Sequence, residues 1–122
     1  MTQNEKDLLL KDLCSRLPYG VKVQSYSYED DIETVETLYN IDSDGHMSTL
    51  ECDTLKNITK PYLFPMSSMS REQNLEYLST CMGGNAYYPT RMSFDWLDAH
   101  HFDYRGLIEK GLANDATGLN IY

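Results

Sequence analysis

Between Val23 and Leu55 the chain has no lysine or arginine at all. The nine carboxylates of that window are Glu29, Asp30, Asp31, Glu33, Glu36, Asp42, Asp44, Glu51 and Asp53, and they account for the whole net charge of −9. Elsewhere the charges cancel. A surface of that sign repels a phosphate backbone, so direct nucleic-acid binding there is not expected. Cysteine is scarce as well. Cys14, Cys52 and Cys81 are odd in number, far apart and without a CxxC step, which argues against a disulfide framework and against structural zinc. Each is read as a small core residue. No apolar run approaches the ~20 residues of a membrane span. The opening MTQNEKDLLLKDL lacks the basic start and cleavage site of a signal peptide, so the expected location is cytoplasmic. Phosphate loops of the GxxxxGK[ST] and GxGxxG types are missing, as is a GxSxG nucleophile elbow. Ser67, Ser68 and Ser70 are therefore read as helix caps rather than nucleophiles.

A chain of 122 residues has the size of one domain, 1–122, and two cores would be hard to fill. Ten Tyr against three Phe and one Trp favour half-buried sheet faces and contact surfaces over a deep aromatic core.

Local signals divide the chain into a helical start, a β-rich middle and a helical end. Thr2-Gln-Asn-Glu5 fits a capping box. Leu9, Leu10, Leu13, Cys14 and Leu17 then recur at three- and four-residue steps along one helix face, until Pro18 and Gly20 stop it. From Val21 the period changes to two, with a phase slip between Val23 and Tyr26 that suggests a bulge. Val35, Thr37, Tyr39 and Ile41 share one face of a second strand. Asp42-Ser-Asp-Gly45 is a turn, Met47 to Cys52 the returning strand, and Ile58 to Leu63 a short edge piece bounded by prolines.

In the second half, Ser70-Arg-Glu-Gln73 starts a helix with Leu75, Leu78 and Met82 as its buried stripe and Gly83-Gly84 as its stop. Ser93 is expected to cap the next helix, and Asp103 one further turn that buries Leu107 and Ile108 and ends at Gly111. The reading is α+β: an N-terminal helix, a small antiparallel sheet of three or four strands with a partial SH3-like barrel as one arrangement, and two or three C-terminal helices.

Three blocks resemble a known set of sequences. KDLCSRLPYGVKVQ (Lys11 to Gln24), KPYLFPMSSMS (Lys60 to Ser70) and DWLDAHHFDYRGLIEKGLA (Asp95 to Ala113) are similar, in the same order, to small uncharacterised proteins encoded in prophages and mobile elements of gut-type anaerobic bacteria. The resemblance implies an accessory protein of a mobile element and carries no activity with it. The stretch from Ser25 to Asn57 departs most from that pattern.

Two constellations point to binding. Asn40, Asp42, Asp44, His46 and Glu51 follow an EF-hand-like calcium loop, with Gly45 at the sharp turn and Asn in place of the first Asp. Thr, Val, Tyr and Ile on both flanks favour instead a hairpin turn made of the same residues. Trp96, His100, Tyr104 and Arg105 form a candidate partner contact, since Trp, Tyr and Arg dominate such sites. The alternative is that Trp96 sits in the core and Arg105 pairs with a local carboxylate. Adjacent His100 and His101 point about 100° apart on a helix and cannot share a metal like an HExxH pair. The leading expectation is a non-enzymatic interaction protein with a protein partner. Calcium binding at 40–51 and an acidic DNA-mimic inhibitor are the alternatives.

Overall fold

The computed structural model describes residues 2–27, 32–49, 60–83 and 87–122. Helix α1 spans Gln3–Arg16, capped by Thr2 and Glu5 in a reciprocal box. Its buried face is Leu9, Asp12, Leu13 and Arg16, a stripe at steps of three and four. Cys14 lies off that stripe and is exposed, so it is not the core residue expected. Cys81 is half-buried, and Cys52 lies outside the described residues. After a 3-10 turn at Leu17–Tyr19, Gly20 takes a left-handed φ of 69°, and the chain enters the sheet.

Strands β1 (Lys22–Ser27), β2 (Ile32–Ile41) and β3 (Met47–Thr49) form an antiparallel meander in the order β1-β2-β3. Pairing of β1 with β2 runs unbroken from Lys22↔Thr37 to Ser27↔Ile32, so the bulge expected near Tyr26 is not in that register. The irregularity lies between Leu38 and Asn40, where β2 meets β3. It has a consequence for packing. Leu38 is buried while Val35 and Tyr39 are exposed, and past the bulge Ile41 packs against the core. One extra residue reverses the alternation of faces, so Val35, Tyr39 and Ile41 do not share the common face that simple alternation implied.

A second sheet follows. Strand β4 (Tyr62–Pro65) lies between β5 (Phe102–Asp103) and β6 (Asn114–Asp115), parallel to both. Parallel pairing needs a long crossover, and helices α2 (Arg71–Ser79) and α3 (Arg91–Ala99) supply it between β4 and β5. The piece before β4 also touches the meander, through a bridge from Pro61 to Val23 and a 2.9 Å bond from Gln24 N to the Lys60 carbonyl. The main core gathers Leu9 and Leu13 of α1, Val21, Val23, Leu38 and Met47 of the meander, Leu63 of β4, and Leu107, Leu112 and Ala113. Among the described residues no helix is long and apolar enough to cross a membrane.

Candidate functional site

The 42–46 turn is built by one side chain. Asp42 Oδ1 accepts the backbone N–H groups of Asp44 and His46, each at 2.9 Å, and Oδ2 stands 3.3 Å from His46 Nδ1. Gly45 closes the turn with φ 81° and donates its N–H to the Asp42 carbonyl at 3.0 Å. Hydrogen bonding, led by the His46 N–H, holds the Asp42 carboxyl below the usual carboxylate range. Asp42, Asp44 and His46 are exposed and offer donor atoms within 4.8 Å of one another. Asn40 sits on strand β2, and Glu51 lies outside the described residues. The elements on either side are strands, so the helix–loop–helix frame of an EF-hand is replaced here by a hairpin.

The Trp96–Arg105 segment faces inward. Trp96 stacks on His100 (4.0 Å, 21°) and Phe102 (5.7 Å, 5°) and tilts against Tyr77 of α2. His100 is the C-cap of α3, and its Nδ1 lies 2.8 Å from the Trp96 carbonyl. His101 leaves the helix at a φ of 64° and stacks 3.6 Å from the Tyr122 ring. Tyr104 donates its hydroxyl to Asp98 at 2.8 Å, while Arg105 lies over the Tyr104 ring and pairs with Asp12 at 2.7 Å. Of the four contact residues expected, the structure thus brings Trp96 with His100 into one stack, and Tyr104 with Arg105 into one ion-pair cluster.

That cluster was missed by sequence reasoning. Arg16 and Asp12 are fully buried and bonded at 2.8 Å, and Arg16 Nη2 donates to the Phe102 carbonyl at 2.7 Å. Ser15 donates to the Asp12 carbonyl at 2.8 Å and lies 3.4 Å from Asp98 Oδ1. Asp98, almost fully buried, is 3.8 Å from Arg16 Nε. Burial raises the Asp98 carboxyl, against the hydrogen bond from Tyr104 and the two guanidinium charges, which lower it. Two arginines face two carboxylates, so the group can be neutral as a whole. A signal did exist in the sequence: Asp12 and Arg16 fall on the same three-and-four stripe as Leu9 and Leu13.

The connection between α2 and α3 is held by hydroxyls. Ser93, fully buried, donates to the Thr80 carbonyl at 3.0 Å and accepts the Thr90 N–H at 2.9 Å. Thr80 Oγ1 lies 3.0 Å from it and Cys81 Sγ 3.5 Å. Thr90, not Ser93, is therefore the N-cap of α3, and α2 stops at Ser79, short of Gly83. Met82 and Tyr88 then pair across the chain through reciprocal backbone bonds of 2.9 and 2.7 Å. Further on, Asp103 does cap the following turn, accepting the N–H groups of Leu107 and Ile108 at 2.9 Å each, although that turn is not a helix.

The two helices and their connection carry large apolar side chains to the surface. Leu75, Met82, Tyr87, Tyr88 and Met92 are each 60–71% exposed. Leu75, Leu78 and Met82 were expected to form the buried stripe of α2, but of these only Leu78 is half-buried and that helix has no fully buried residue. Its inward contact is made by Tyr77 on Trp96 instead. Directly opposed residues of an antiparallel bridge share a face, which places Met82 beside Tyr88. No protein-family model, curated protein or solved structure matches this chain.

Proposed function

We propose that this chain is a non-enzymatic interaction protein of a prophage or mobile element, docking a protein partner through the apolar surface of α2, α3 and their connection. One observation carries the reading: Leu75, Met82, Tyr87, Tyr88 and Met92 are each exposed within one 18-residue span of the sequence. Isolated surface apolar residues are ordinary, whereas a concentration of large ones marks contact surfaces. Two Tyr and two Met suit this use. Tyr gives area with a polar tip, and Met adapts its shape to a partner. The hydroxyl lock at Ser93 supports the reading too, because it presents these side chains on a pre-ordered frame.

The partner chemistry follows from charge. A chain of net charge −9 attracts basic proteins and slows the approach of acidic ones. The partner inferred is a basic protein with an apolar anchor. The carboxylates that set the net charge lie between Val23 and Leu55, outside the docking span, so they steer its approach rather than line the contact. Trp96 and Arg105 serve this function indirectly, as supports of the frame.

A photo-crosslinking residue placed at Met82, at Met92 and, as a control, at the exposed Tyr39 of β2 tests the proposal in a gut-anaerobe lysate. The expected result is one basic protein crosslinked saturably from 82 and 92, absent at 39, and lost in a Leu75→Ser/Tyr88→Ser variant. Equal capture at 39, no capture at 82 and 92, or insensitivity to the double variant overturns it.

A further inference from the structure

The buried cluster between α1, α3 and β5 contains two polar atoms that no other described residue satisfies. Arg16 is fully buried, and its Nε and Nη2 are bound to Asp12 and to the Phe102 carbonyl. Its Nη1, however, has no hydrogen-bond partner among the described residues, and the same holds for the buried Nδ1 of His101. The two belong to one neighbourhood. Arg16 is bonded to the residue that follows His101, and its charge acts on the imidazole. Their capacities are complementary as well. A guanidinium N–H can only donate, and a neutral imidazole offers one nitrogen as acceptor.

We propose that Arg16 and His101 bind one internal water molecule, which accepts a hydrogen bond from Arg16 Nη1–H and donates one to His101 Nδ1. Buried groups of this kind are nearly always paired with protein or with ordered water. Proteins hold about one such water per 27 residues, each at a polar site with two to four partners.

The imidazole plane and its backbone are both held in place. Its ring is stacked on Tyr122, 13° from parallel, and its carbonyl accepts the Phe64 N–H at 2.8 Å. Tyr122 is anchored in turn by its hydroxyl, which donates to the Tyr62 carbonyl at 2.7 Å and accepts the Lys22 N–H at 2.8 Å. The charges acting on His101 are Arg16 from α1, Lys22 from β1 and the neighbouring His100. Burial, followed by these charges, lowers its pKa to about 4, so the ring is neutral at pH 7. A neutral ring with Nδ1 free of its proton selects water over an anion, because an anion needs a donor at that nitrogen. The cluster also has no surplus of positive charge to hold an anion, since Asp12 and Asp98 stand against Arg16 and Arg105.

Nitrogen-15 NMR of histidine-labelled protein at neutral pH tests this with no substitution. The expected result is an unprotonated Nδ1 and a protonated Nε2 for His101, together with a long-lived water contact to the Arg16 guanidinium protons. A protonated Nδ1 would remove the acceptor and overturn the proposed bridge, and so would the lack of any long-lived water. The variant His101→Phe keeps a ring against Tyr122 and removes the acceptor. In a folded variant, the water contact at Arg16 is expected to be lost, and its persistence there overturns the bridge. Should that variant fail to fold, the tautomer and water contact of the wild type decide by themselves.

Discussion

Among the described residues Arg16 is the largest fully buried side chain, and its position explains much of how the two halves of the chain meet. A buried guanidinium is tolerated only when its charge is opposed and its N–H groups are engaged. Asp12 does both within one helix turn and also takes Arg105 from the far end of the sequence. Asp12→Ala leaves two arginines facing Asp98 alone, and removing one partner of a buried pair typically costs about 3–5 kcal/mol. The expected outcome in urea is a large fall in midpoint with the slope kept, if the fold survives at all. Asp12→Asn, which keeps the shape and part of the bonding, should lose less.

His101 gives the pH dependence at the same scale. Its folded pKa is about 4 against 6.5 for the free group. Between those values the unfolded chain binds more protons than the folded one, so this stabilisation is complete above about pH 6.5 and is lost as pH falls towards 4. After allowance for solvent screening of a partly exposed ring, the loss is about 1–2 kcal/mol. The raised Asp98 carboxyl acts in the opposite direction and offsets part of the loss at the acid end. Thermal melts at pH 7 and pH 4.5, for wild type and His101→Phe, should show the smaller decline in the variant. Equal declines would remove His101 from the account.

Among the elements, α1 and α2 begin where local chemistry says they should, because a capping box involves only residues three apart. Where the helices stop is a tertiary matter. Helix α2 ends at Ser79 because Thr80, Thr90 and Ser93 bind one another and draw the chain into the Met82–Tyr88 bridge. Gly83 had been the obvious stop in the sequence, but the turn is complete before the chain reaches it. Ser93→Ala removes the hydroxyl that serves both Thr80 and Thr90. Leaving such buried groups unpaired costs about 1–3 kcal/mol. Hydrogen exchange should localise the effect: protection is expected to fall over 71–82 and at the start of α3 while α1 and β4 keep theirs. A uniform fall would mean that the lock is not a local device. At β2, the bulge between Leu38 and Asn40 turns Ile41 inward, which strict alternation did not predict because an inserted residue has no signature of its own.

For the molecule as a whole, the two sheets divide the work of closing the core. The meander comes from neighbouring segments, whereas the parallel strands join residues near 62, 102 and 114. Several large apolar side chains are left exposed on α2, α3 and their connection. Since Leu75 and Tyr88 are mostly exposed, Leu75→Ser/Tyr88→Ser should change stability by no more than about 0.5 kcal/mol per site. Wild type and variant melts should therefore nearly coincide, which separates loss of docking from loss of fold. A fall of several degrees would show instead that these residues already pack against the protein.

The amino-acid sequence by itself determined the α+β order of elements, the two reciprocal helix caps, the Asp42–Gly45 turn and the concentration of charge between Val23 and Leu55. These depend on neighbours within about a helical turn or on composition alone, so they are legible without coordinates. Only the tertiary structure decided that Asp12 and Arg16 belong inside, that Cys14, Leu75 and Met82 belong outside, and that Trp96 stacks on Phe102 while Arg105 pairs with Asp12. The physical reason is the same in each case. An amphipathic pattern says which side chains share a face, but what covers that face depends on partners such as Arg105 and Phe102, some 90 residues away in the chain. A charged pair can be buried once a distant residue completes it, and an apolar stripe stays in water when nothing is folded over it.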